Sequence, residues 1–235
     1  MSSAPTTTTT TTTTGLILSF IQPTSSFSSS SSPEDNSNNK DSTEFALLPQ
    51  LFTSHVLGTT RSTFYKAANA SCPKQHLLVS LMDDVAHVNV EQVAKFWAGE
   101  RVVHGEADVR GFSEVQVYEK ERGRGVGRDN PAHTLLVALM QPAPDGAADL
   151  DAWYRDEHNE QMSKEPGWLR TCRYSLVAQK GGDEKEKELS FLAIHEFDES
   201  NELGDTVKAL EPVSEWTKKV MSAAVGIDAA IYRKA

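Results

Sequence analysis

TLLVALMQP, residues 134–142, decides the fold, because GLILSFIQP at residues 15–23 matches it position by position in character. Self-similarity of that kind predicts a duplicated architecture, and the rest of the chain extends it. Residues 45–57 parallel the helical pattern around Tyr154, residues 61–67 parallel 170–176, and HLLVSLMDD at 76–84 parallels SFLAIHEFD at 190–198. Each of these last two stretches leads into a helical pattern, at 90–100 and 205–222, and then into a closing strand, at 112–119 and 227–232. Each half therefore reads β-α-β-β-α-β, the split βαβ or ferredoxin-like unit.

Such a unit carries its helices on one face of an antiparallel sheet and leaves the other face needing cover. Two copies in one chain cover each other, so the expected fold is α+β, two ferredoxin-like βαββαβ repeats packed sheet to sheet. The strand at 134–141 supports this. Leu135, Val137 and Leu139 on one side and Leu136, Ala138 and Met140 on the other are all apolar, as burial on both faces requires. The organisation that follows is a threonine-rich tail at 1–14, a first repeat at 15–120 with a Ser/Asn-rich insert at 24–42, a linker at 121–131 and a second repeat at 132–235. The linker, containing RGRGVGR, does not follow a strand and open a helix, so its glycines fit a connection better than a phosphate cradle.

The tail, with its run of nine threonines, and the insert lack the apolar side chains that would offset the entropy of ordering. GLILSFIQP is too short and interrupted to span a membrane and has no basic run before it, so no secretory signal is expected. A net charge of −10 with no Lys/Arg cluster argues against nucleic acid and anionic membranes as partners. Cys72 and Cys172 have no metal-type spacing and suit a reducing, cytoplasmic compartment.

Chemistry concentrates in LDAWYRDEHNEQMSKEPGWLRTCRY, residues 150–174. Asp149 is the expected N-cap of a helix that Pro166-Gly167 ends. Steps of three and four place Leu150, Trp153, Tyr154, Glu157, His158, Gln161 and Met162 on one face, with Asn159 among the residues opposite. Beyond the turn, Trp168, Arg170, Cys172 and Tyr174 alternate with Leu169, Thr171 and Arg173, so each strand face carries an arginine. His158 is the leading candidate for proton transfer, since imidazole titrates near neutrality; a core histidine bonded to a backbone carbonyl is the competing reading. Tyr154, one turn earlier, either orients His158 and donates to a substrate oxygen or packs as a core aromatic. His195, on an otherwise apolar strand face with Phe191, Ala193 and Phe197, either completes an acid–base pair or is satisfied by a nearby hydroxyl. Trp153 and Trp168 are candidate walls for a planar ligand or plain packing. Glu157 is expected to pair with Arg170 or Arg173, positioning a substrate carboxylate or stiffening the helix. Zinc is not expected, because Met162 stands where an HExxH motif needs its second histidine.

WYRDEH (153–158), PGWLR (166–170), RYSL (173–176) and FLAIHEFD (191–198) resemble the EthD-like branch of the dimeric α+β barrel superfamily. The match spans about 100 residues of the second half. The first half departs from the pattern, with Glu44-Phe45 where Trp-Tyr would stand and Pro49 near the histidine position, so a single active site would belong to the second half. The resemblance implies a single-chain dimeric α+β barrel that acts without metal or organic cofactor on a hydrophobic aromatic small molecule. It implies a lyase, decarboxylating or dehydrating an aromatic polyketide intermediate of secondary metabolism, with His158, Tyr154 and His195 catalytic and Trp153, Trp168, Arg170 and Arg173 binding substrate. A cofactor-free monooxygenase on a phenolic substrate and a non-catalytic metabolite binder are the alternatives. With two repeats in one chain, a monomer is expected.

Overall fold

The strand β5 (Thr134–Gln141) is buried along nearly its whole length, and its two faces pack into different surroundings. Leu135, Val137 and Leu139 join an interior cluster with Leu16, Leu18, Phe112, Leu192 and Ile194. Leu136, Ala138 and Met140 instead lie beneath helices and loops of the second half. The double-sided apolar pattern thus reflects a barrel wall with the lumen on one side and helices on the other. The computed structural model describes residues 13–21, 47–99, 107–119, 130–182 and 189–235. The Ser/Asn insert, most of the threonine tail and most of the linker expected from sequence lie outside the described residues.

The first half contains β1 (Gly15–Ile21), α1 (Leu48–His55), β2 (Thr59–Ala67), β3 (His76–Met82), α2 (Val90–Gly99) and β4 (Ala107–Glu119). The second contains β5, α3 (Ala147–Trp153), a π turn (Tyr154–His158), α4 (Asn159–Met162), β6 (Trp168–Lys180), β7 (Phe191–Phe197), α5 (Glu215–Ala223) and β8 (Gly226–Lys234). The strands run β4-β1-β3-β2 and β8-β5-β7-β6 in the two halves, the same order twice.

The sheets join where separate packing was expected. The two sets of strands do not remain separate sheets placed face to face: β4 pairs with β6 and β2 with β8, closing all eight strands into one antiparallel barrel. Closure satisfies edge N–H and C=O groups that separate sheets would expose, along most of β4–β6 and over a short stretch of β2–β8.

The helix expected at 205–222 is shorter than its pattern. Only Glu215–Ala223 is helical, starting after Ser214, whose Oγ accepts from the backbone N–H of Thr217. Pro212 has no N–H to give an upstream turn and Ser214 supplies a cap, so the chain enters the helix late. Asp149 is likewise not the N-cap of α3: Gly146 is, and Asp149 sits in the first turn, accepting from Trp216 Nε1 at 3.2 Å. Gly167 does end the segment, with φ at 71°. A Cβ there would lie 2.7 Å from the backbone nitrogen of Asn201.

Candidate active site

The helical segment over the outer face of β5–β8 is α-helical only at its ends. Between Trp153 and Asn159 it widens into a π turn, and the extra residue rotates everything downstream. Asn159, expected on the solvent side, is therefore fully buried. Neither its Oδ1 nor its Nδ2 has a hydrogen-bond partner. A buried amide left open in this way is uncommon and marks a place where a polar group from outside the chain would be welcome. Sequence periodicity missed it because the count assumed 3.6 residues per turn throughout. The only advance signal was an asparagine inside a helical pattern.

The π turn sets Tyr154 and His158 over β7. The ring of His158 stacks on Trp153, with centroids 4.2 Å apart. It meets Tyr154 edge-on at 5.1 Å and His195 edge-on at 5.4 Å. His158 is half-buried, while His195 is buried. Burial pushes His158 down to about 4, Glu157 opposing the shift and Arg173 adding to it. Burial, then the neighbouring His158, hold His195 well below the ordinary histidine range. Both imidazoles are neutral at physiological pH, which leaves ring nitrogens with lone pairs in an apolar shell. Burial raises Tyr154 to about 12, with Arg173 working the other way, so its hydroxyl stays protonated. That hydroxyl points at Met140 Sδ, 3.7 Å away.

His195 is anchored from β6. Thr171 Oγ1 lies 2.8 Å from His195 Nδ1 and accepts from Trp168 Nε1 at 3.2 Å. Arg173 is buried over the ring of Tyr154, with its guanidinium carbon 4.3 Å from the centroid. It donates to Asp151 Oδ1 at 2.6 Å and to Gln116 Oε1 at 3.0 Å. Glu157 pairs with neither arginine. It accepts from Ser214, from Thr217 and from Trp153 Nε1 at 3.2 Å, tying the π turn to the start of α5.

The remaining predicted residues divide between two faces. A bulge between Trp168 and Arg170 breaks the alternation: Trp168 stands opposite Phe197 and Arg170 opposite Glu196. Trp168 therefore packs on the outer face with Met162 and Phe197, whereas Arg170 points into the lumen with Cys172 and Tyr174. Arg170 is thus separated from the histidines by the barrel wall.

A cavity of about 320 Å³ lies on the outer face under the 202–211 segment, lined by residues that include Leu136, Met162, Leu203, Val207 and Ile231. The histidines do not line it, but their neighbours do. His195 stands directly opposite Leu136 in the β5–β7 register, and Met162 lies one helical turn beyond His158. Among the described residues, no three of His, Cys, Asp and Glu gather in a way that would hold a metal ion. No helix among them is long and apolar enough to cross a membrane.

The first half has the same framework without the titratable groups. Ile17 faces Ser80 in β1–β3 as Leu136 faces His195 in β5–β7, so Ser80, and not Leu81 as the letter match suggested, occupies the histidine position. Ser62, opposite Ser80, replaces Thr171, and the two serine hydroxyls are 2.8 Å apart. Trp97 and Phe52 fill the space above them, Trp97 Nε1 donating to Ser19 Oγ at 3.0 Å.

Solved structures share this architecture. The chain is similar to an anthrone oxidase-like protein with a TM-score of 0.58 and 12% identity, over 96% of this chain and 92% of that one. It is similar to a candidate monooxygenase from Fusobacterium nucleatum subsp. nucleatum with a TM-score of 0.53 and 8% identity, over 95% and 93%. Both are dimeric α+β barrel proteins, and at these identities the likeness establishes that fold alone. No family model and no curated protein matches the sequence.

Proposed function

We propose that the chain is a cofactor-free monooxygenase of phenolic or anthrone-like aromatic substrates, built from two ferredoxin-like repeats of EthD-like type with one working site in the second. The observation that carries this reading is the neutral His158–His195 pair with the unpartnered amide of the adjacent residue Asn159, near a cavity of mixed lining in which Leu136, Met162 and Ile231 stand with Glu165, Glu202 and Lys208. The names of the two structural neighbours favour oxygenation over the lyase chemistry that the sequence resemblance implied first.

The chemistry asks the protein for a base and an oxyanion donor. His158 takes a proton from an acidic phenol or from the CH₂ between two aromatic rings, and the Nδ2–H of Asn159 donates to the oxygen on which charge develops. A base pushed down to about 4 is weak against a phenol in water. Bound against His158, the substrate gives imidazolium and phenolate together, and the nearby anion raises the histidine. Molecular oxygen then accepts the electrons of the carbanion, giving a hydroperoxide at the ring-bridging carbon. Loss of water from it leaves a ketone, so CH₂ and O₂ become C=O and H₂O.

Oxygen uptake on 1,8-dihydroxyanthrone tests the reading. The wild type is expected to accelerate uptake above the spontaneous rate, with a product that gains one oxygen and loses two hydrogens. His158→Ala should lower the enzymatic rate by about 10²- to 10⁴-fold. A product formed by loss of CO₂ or water without oxygen uptake would return the site to the lyase reading. No acceleration of any reaction by the wild type would sink the oxygenase.

A further inference from the structure

The lumen of the barrel holds a second cavity, of about 450 Å³, on the opposite side of the wall from the histidines and within the size range of small-molecule sites. It sits where β1, β2, β5 and β6 begin and β3 and β7 end. Its walls include Leu16, Val79, Leu81, Leu135 and Ile194. The other end of the lumen is packed by side chains such as Phe20, Leu77, Leu139 and Leu192, so the cavity is a cup.

Arg170 lies in its wall and is only 7% exposed. One arm of its guanidinium, Nη2, meets Glu196 Oε2 at 2.9 Å. Its Nε is buried without a hydrogen-bond partner. A charged N–H donor left open in a low-dielectric cup favours an acceptor oxygen brought from outside. Tyr174 and Cys172, beside it, are held protonated by burial, so they offer donors and no further anionic charge.

We propose that this cup is a binding site for an uncharged, largely apolar small molecule carrying a carbonyl oxygen, which accepts the Nε–H of Arg170. The charge of the lining selects against an acid. Arg61 and Arg170 face Asp83, Glu114 and Glu196, two cations against three carboxylates, so a carboxylate ligand would enter a field of its own sign. The apolar walls favour rings or chains over sugars and nucleotides. This site is independent of the oxygenase reading, since none of its residues belongs to the histidine cluster.

Benzophenone, diphenylmethane and diphenylacetate have similar bulk and differ in the oxygen: a ketone, none, and an anion. In equilibrium dialysis against the full chain, benzophenone is expected to bind at least about tenfold more tightly than either analogue. Arg170→Met combined with Glu196→Gln, which leaves no unpaired charge, should bring it down to the level of diphenylmethane. Ile194→Trp should block the cup, and His158→Ala should leave binding unchanged. Irradiating the wild-type complex cross-links benzophenone to nearby C–H bonds without any variant having to fold, and the label should fall on peptides containing Leu16, Leu135 or Ile194. Binding no tighter than that of diphenylmethane, or label confined to the 158–165 and 202–211 segments, would overturn the proposal.

Discussion

The imidazoles of His158 and His195 meet edge to face with centroids 5.4 Å apart, inside a shell built by Trp153, Tyr154 and Met140. At that separation the neighbouring His158 adds to burial in disfavouring a proton on His195.

Stability should fall with acid over a defined window. Unfolded, a histidine takes up its proton as the pH drops past about 6.5, whereas folded His158 stays neutral down to about 4. Between those values the unfolded chain binds more protons, so stabilisation present above pH 6.5 is lost as the pH falls through 4. For His158 the loss is on the order of 3 kcal/mol. Urea unfolding near neutrality and at about pH 4.5 measures it, and His158→Gln should lose less between the two pH values than the wild type.

The hydroxyl that holds His195 should matter in one half of the barrel only. Thr171→Val removes the partner of His195 Nδ1 and of Trp168 Nε1, and is expected to lower kcat about tenfold while shifting KM little. Ser62→Ala, at the equivalent place in the first half, should leave turnover unchanged. Equal effects from both variants in steady-state oxygen uptake would mean that Thr171 acts through stability.

Breaking the Arg173 cluster from its two ends should give unequal results. Asp151→Ala leaves a buried guanidinium without its carboxylate, and should cost about 1–2 kcal/mol, a figure reduced because Asp151 is half exposed. Arg173→Met removes the buried charge as well and should cost less. Denaturant midpoints of the two variants decide the order.

Gly167→Ala is expected to destabilise the chain by about 2 kcal/mol or more. The left-handed backbone disfavours a Cβ, and the new atom would collide with the backbone of Asn201. A thermal melt unchanged from the wild type would contradict this account.

With the two sets of strands joined at both seams within one chain, we expect sedimentation to return the mass of one 25.8 kDa chain.

The doubled strand order was legible because it rests on apolar strands whose character survives divergence: β1 and β5 match along their length. What the letters did not carry is geometry that shifts the count by one residue. The π turn moved Asn159 from solvent to the interior, and the bulge after Trp168 moved that ring to the face opposite Arg170. The same kind of slip paired Leu81 with His195, although the strand register gives the place to Ser80. His158, Tyr154 and His195 do come together as the sequence suggested. Trp153 lies against them, stacked on His158, while Arg170 belongs to the lumen.

The two seams that close the barrel are unequal. β4 and β6 are paired along residues 109–119 and 170–180, whereas β2 and β8 pair in register over 65–67 and 232–234, with one flanking backbone bond at each end, Ala68 N–H to Ile231 O and Ala235 N–H to Phe64 O. A ring with one long and one short join works as a clasp: partial opening at the short join sacrifices few backbone bonds, and the long one acts as the hinge. Amide exchange at 65–67 and 232–234 should therefore run ahead of global unfolding, and the interior of this barrel can exchange its contents while both halves stay folded.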